Sequence, residues 1–116
     1  MKTNNLIQEK TFQFALDTIK FYIKLRDEKE YVLSKQLLKS GTSIGANVEE
    51  AIAAQSRKDF INKMSIASKE SRETRYWLRL LKKSDLTSLS TDHLLKDIND
   101  IINIITKIIL TSKTKS

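Results

Sequence analysis

A chain of 116 residues without a single proline, and with glycine only at Gly41 and Gly45, has few ways to turn. Sheets need tight turns, and tight turns draw on those two residue types. Long helices are what remains. The length fits one domain, residues 1–116, with enough chain to bury a single core.

Hydrophobic periodicity divides the chain into four helical segments, at about residues 5–28, 31–54, 57–83 and 91–111. In the second, Leu37, Gly41, Ile44, Val48 and Ala51 alternate steps of four and three without a slip. That register predicts helix straight through Gly41–Gly45, although each glycine costs about 1 kcal/mol there. A loop at Gly41–Gly45 is the competing reading. Ser56, with Asp59 three residues on, reads as the N-cap of the third helix. Its seam is Phe60, Met64, Ala67, Ser71, Thr74, Leu78 and Leu81. Thr91 reads as the cap of the fourth, which ends near Thr111 ahead of a frayed tail. Short connections favour antiparallel neighbours, so the expected fold is an all-α, up-down-up-down four-helix bundle.

A bundle consumes one stripe per helix, and the first helix carries two. Phe12, Ala15, Leu16, Ile19, Tyr22 and Ile23 form one face. Phe14, Thr18, Phe21 and Leu25 form another, about 130° away. The fourth helix spreads Leu94, Leu95, Ile98, Ile101, Ile102, Ile105, Ile108 and Ile109 over about 140° of arc, widened by Ile104. Spare apolar stripes mark interfaces, so Phe14, Phe21 and Leu25 are the expected self-association surface.

The net charge of +7 is concentrated. Residues 57–84 hold nine Lys and Arg against three acids, while the rest of the chain nets +1. Every base of that helix except Lys63 falls within about 140° of arc, with Tyr76 inside the sector and Asp59, Glu70 and Glu73 outside it. Such a segregated face suits phosphate backbones: arginine forks match phosphate, and tyrosine stacks on an unpaired base. The expected nucleic-acid contacts are Arg57, Lys58, Lys69, Arg72, Arg75, Tyr76, Arg79, Lys82 and Lys83. The plainer alternative is a solvated face partly neutralised by Asp92, Asp97 or Asp100 of a neighbouring helix.

Catalytic readings find little to stand on. Cysteine is absent and His93 is the lone histidine, so thiolate chemistry and multi-histidine metal sites within one chain are excluded. No Glu-x-x-His pair of a di-iron bundle occurs. Gly41 and Gly45 make an isolated G-x-x-x-G and no phosphate loop, and suit close helix packing better. The chain is therefore expected to be no enzyme, with no cofactor and no metal. Ser43, Asn47 and Glu50 follow i, i+4, i+7 along the second helix. They read as a hydrogen-bonded strip fixing helix register, with Arg57 or Arg72 as partners, more than as a site for a partner molecule. The longest apolar stretch, Ile101–Leu110, is too short to span a bilayer, and Met1–Glu9 has no apolar leader core. A cytoplasmic location without membrane contact is expected.

The stretch Ser43-Ile44-Gly45-Ala46-Asn47-Val48-Glu49-Glu50-Ala51, then Arg57-Lys58-Asp59-Phe60 and Ile66–Leu78, resembles the bacterial four-helix-bundle family of 23S rRNA intervening-sequence proteins. The likeness runs from about Phe12 to Ile109. Ser43, Ile44, Asn47, Glu50, Asp59 and Phe60 stand at its motif positions, and Ala51 replaces the family's usual glycine. The resemblance implies a homopentamer. More distantly, it implies a likeness to accessory proteins of diversity-generating retroelements, basic pentamers that bind nucleic acid and a reverse transcriptase. It brings no catalytic residue. The expected partners are thus the chain itself and RNA or DNA. The alternative is an adaptor whose basic face meets an unidentified acidic protein.

Overall fold

A computed structural model describes residues 2–115, with side chains described from Asn4 onward. It holds four helices: α1 (Lys2–Asp27), α2 (Leu33–Ile52), α3 (Arg57–Ser84) and α4 (Asp92–Thr114). They form an all-α antiparallel bundle of 50 × 21 × 21 Å. Each helix packs on its two neighbours in the ring α1–α2–α3–α4, and the diagonal pairs stay apart. The α1–α4 seam is the sparsest of the four.

Four seams fill the interior with the same alternation of four and three. Ile7, Thr11, Phe14, Thr18, Phe21 and Leu25 supply α1. Leu37, Gly41, Ile44, Val48 and Ala51 supply α2. Met64, Ala67, Ser71, Thr74, Leu78 and Leu81 supply α3, and Leu94, Ile98, Ile101, Ile105 and Ile108 supply α4. Phe60 of the expected α3 seam is half-buried at the edge of this core.

The two stripes of α1 exchange the roles expected of them. Phe14, Phe21 and Leu25 are core, at 1%, 8% and 0% exposure, so they are no free interface. Phe12, Leu16, Ile19 and Ile23 stay exposed instead. The cause lies on α2. A Cβ at Gly41 would come within 2.9 Å of the Thr18 methyl, and one at Gly45 within 3.4 Å of Thr11. The bare backbone of α2 lies against the two threonines. Their hydroxyls donate to the carbonyls of Ile7 and Phe14, both at 2.8 Å, so the oxygens that meet α2 are already satisfied within α1. α2 is helical through both glycines, and the competing loop does not form.

The helix ends are tied by side chains, not always those expected. Ser56 accepts from the Asp59 N–H at 3.0 Å, as a cap should. Thr91 does not cap: its hydroxyl is buried without a hydrogen-bond partner among the described residues. α2 opens on the Glu30 carboxylate, which accepts from the N–H groups of Val32, Leu33 and Ser34. Just before it, Lys29 turns left-handed (φ 66°) and the Glu30 N–H bonds back to Leu25, closing α1. At the same end of the bundle, Thr87 and Ser88 donate to Glu28 and hold its carboxyl below the ordinary pKa. α4 continues to Thr114, past the expected end at Thr111.

Candidate nucleic-acid interface

α3 turns its seam inward, and its opposite side looks into solvent. At 100° per residue, Arg57, Arg75 and Lys82 sit at the core-side edge of the basic sector. The structure engages all three with α4. Arg57 donates to the Lys115 carbonyl, Arg75 to Asn99 Oδ1 at 3.0 Å, and Lys82 pairs with Asp92 at 3.0 Å. These bases fasten α3 to α4 before they can serve any partner.

The rest of the sector is free. Lys58, Lys69, Arg72, Arg79 and Lys83 are exposed and make no ion pair with a described residue. Of the three acids that the alternative reading offered to neutralise the face, Asp92 alone does so. Asp97 is occupied by His93 and Asp100 by Lys96, both within α4. Lys69, Arg72, Tyr76, Arg79 and Lys83 then follow one another in steps of three and four. They form a straight row about 21 Å long at 1.5 Å per residue. Tyr76 is 54% exposed, and its ring meets Trp77 edge-on at 5.2 Å. The indole is in turn held by a 3.2 Å hydrogen bond to Glu73. The tyrosine face is thereby positioned in the middle of the row.

The acids of α3 lie on the flank toward α2. Burial, and then the neighbouring Glu73, push the Glu70 carboxyl above its ordinary pKa. Lys63, the one base outside the sector, reaches across to Glu50 of α2 at 2.9 Å. That hydrogen bond and charge raise its pKa.

The motif strip is structural in its contacts. Ser43 donates to the Lys39 carbonyl and Asn47 to the Ser43 carbonyl, both within α2. Ile44 is core, Asp59 completes the α3 cap, and Phe60 packs against the core. Among the described residues the strip makes no link to Arg57 or Arg72. Glu50 finds Lys63 instead, because that residue faces α2.

On the diagonally opposite corner, α1 presents Phe12, Leu16, Ile19 and Ile23, again in steps of four and three. An open groove of about 590 Å³ runs between this stripe and Ala46 of α2. Both α1 stripes are visible in the spacing of the residues, but which one is left over is not. The two outward surfaces, basic on α3 and apolar on α1, point away from each other because those helices do not touch. No helix among the described residues is long and apolar enough to cross a membrane.

Comparison with known proteins follows the same lines. The family described as 23S rRNA-intervening sequence protein matches residues 3–107. A crystal structure of a protein of unknown function from the S23 ribosomal protein family of Bacteroides thetaiotaomicron is 43% identical, covers 92% of this chain and 97% of its own, and superposes with a TM-score of 0.87. Among curated proteins none matches.

Proposed function

This chain belongs to the family of 23S rRNA-intervening sequence proteins, and we propose that it is a non-enzymatic, homo-oligomeric bundle that binds the backbone of RNA or DNA along the outer face of α3. The observation that carries the reading is the row Lys69, Arg72, Tyr76, Arg79 and Lys83, whose cations make no ion pair with a described residue and whose tyrosine is exposed. Lys58 extends it toward the α3 N-terminus, while Arg57, Arg75 and Lys82 flank it and are shared with α4. Contacts of this kind neutralise phosphates and read little sequence, so binding falls steeply with salt.

Electrophoretic shift of a structured RNA and of single-stranded DNA tests it. The wild-type chain is expected to shift nucleic acid at low salt, and Arg72→Glu with Arg79→Glu to abolish the shift. A wild-type chain that shifts neither probe at low salt overturns the reading. A protein partner retained from nuclease-treated lysate, and lost in the same double variant, would favour the adaptor in its place.

Self-association is the second half of the proposal, and the occupant of the α1 stripe is another copy of the chain. The stripe repeats the spacing of the four buried seams, so it is built to pack on a helix. Its position opposite α3 leaves every basic row facing outward in an assembly. The family likeness points to five copies. Light scattering showing a monomer at micromolar concentration would refute this half and leave the first standing.

A further inference from the structure

We propose that Asp17, His93 and Asp97 form a binding site for a zinc-class divalent cation that clasps α1 to α4. The expectation of no metal rested on the want of a second histidine, and one histidine with two carboxylates does not need one. Asp17 comes from α1, while His93 and Asp97 stand one turn apart on α4. His93 Nε2 lies 3.2 Å from Asp97 Oδ2 and 3.7 Å from Asp17 Oδ2, and one ligand atom from each residue lies within 4.8 Å of the others.

Those spacings suit the ion. Zinc holds nitrogen and oxygen ligands at about 2.0–2.1 Å, so tetrahedral ligand atoms stand roughly 3.3 Å apart. Small side-chain rotations close the remaining gap. The other oxygen of Asp17 accepts from Gln13 Nε2 at 3.0 Å, which orients the carboxylate as outer-shell partners of metal ligands do. Both carboxylates are largely covered, at 22% and 24% exposure, whereas the imidazole is open at 73%. A water therefore has room at the fourth position.

Charge points the same way. Two carboxylates and a neutral imidazole offer two negative charges to a dication. The nearby Lys96 is engaged with Asp100, and Lys20 and Lys24 line the adjoining depression on stems long enough to turn their ammonium groups to solvent. Magnesium and calcium prefer all-oxygen shells, so the imidazole selects for zinc and its neighbours. The site bridges the sparsest seam of the bundle, where a cross-link has most to hold.

The test uses the untagged full-length chain with ZnCl2, read by calorimetric titration and thermal unfolding. One zinc per chain is expected, with a saturable rise in Tm reversed by EDTA and no comparable rise with MgCl2. His93→Ala and Asp97→Asn should abolish the zinc response, and Gln13→Ala should weaken binding about tenfold. His93 is exposed, so its variant should keep the fold, as circular dichroism would check. An imidazolium bridging the two carboxylates without metal predicts no zinc response in the wild type, and that result overturns the proposal. An equal response in His93→Ala, the mark of adventitious surface zinc, overturns it as well.

Discussion

The two apolar stripes of α1 differ in a way that hydrophobicity alone ranks wrongly. Phe12, Leu16, Ile19 and Ile23 offer an unbroken run of large apolar side chains, yet they remain exposed. The stripe that became core carries two threonines, Thr11 and Thr18, each fully buried. Fit decided the choice. Gly41 lets α2 approach so closely that Thr18, β-branched and with its hydroxyl turned onto its own helix, fills the gap, while Thr11 packs beside Gly45 at an ordinary contact distance. Side-chain shape at a close approach thus outweighed a few methylenes of extra burial.

The largest test of that contrast compares the two phenylalanines. Phe14→Ala should lower unfolding free energy by about 3–5 kcal/mol in a denaturant titration. Phe12→Ala should change it by less than about 0.5 kcal/mol when measured at concentrations where the chain is monomeric. Similar losses at both positions would break the distinction between core and leftover stripe.

Next in size are the glycines. Gly41→Ala gains about 1 kcal/mol of helix propensity but drives a methyl into Thr18, and overpacking of this kind costs about 1–3 kcal/mol. A net loss of about 1 kcal/mol is expected, and Thr18→Ala in the same chain should relieve part of it. Gly45→Ala meets Thr11 at an ordinary contact distance. It should therefore be neutral or stabilise by up to about 1 kcal/mol. Thermal melts that rank the two variants the other way would mean that the close approach is not where the structure puts it.

A smaller effect separates satisfied from orphaned hydroxyls. Thr11 and Thr18 bond to backbone carbonyls, whereas the buried Thr91 hydroxyl has no described partner. Thr91→Val should stabilise the fold by about 1 kcal/mol, since an unpaired buried donor is costly. A loss of the same size would restore Thr91 to the capping role that its sequence position suggests. Smallest for stability is Ile19→Asp, which should barely move the monomer's unfolding and should abolish the proposed self-association in light scattering.

Much of the basic face is legible in the spacing of the residues. The helical wheel of α3 set the sector, and its core-side edge already contained Arg57, Arg75 and Lys82. The acceptors that bind them, the Lys115 carbonyl, Asn99 and Asp92, depend on how α4 lies alongside. Likewise Asp97 and Asp100 were candidates to neutralise the face, and their own-helix partners His93 and Lys96 took them first. An i, i+4 pair needs no neighbouring helix to form, and so competes well.

The four helices, the register of the α2 and α3 seams, the Ser56 cap and the concentration of positive charge on α3 can all be read from the residues. Each of these follows from short-range rules: spacing along one helix, one capping side chain, one run of charge. The tertiary structure alone decided which α1 stripe is buried, which bases are spent on α4, and that Asp17 meets His93 across two helices far apart in the chain. Those outcomes depend on the distance and rotation between helices, which no single-helix pattern encodes.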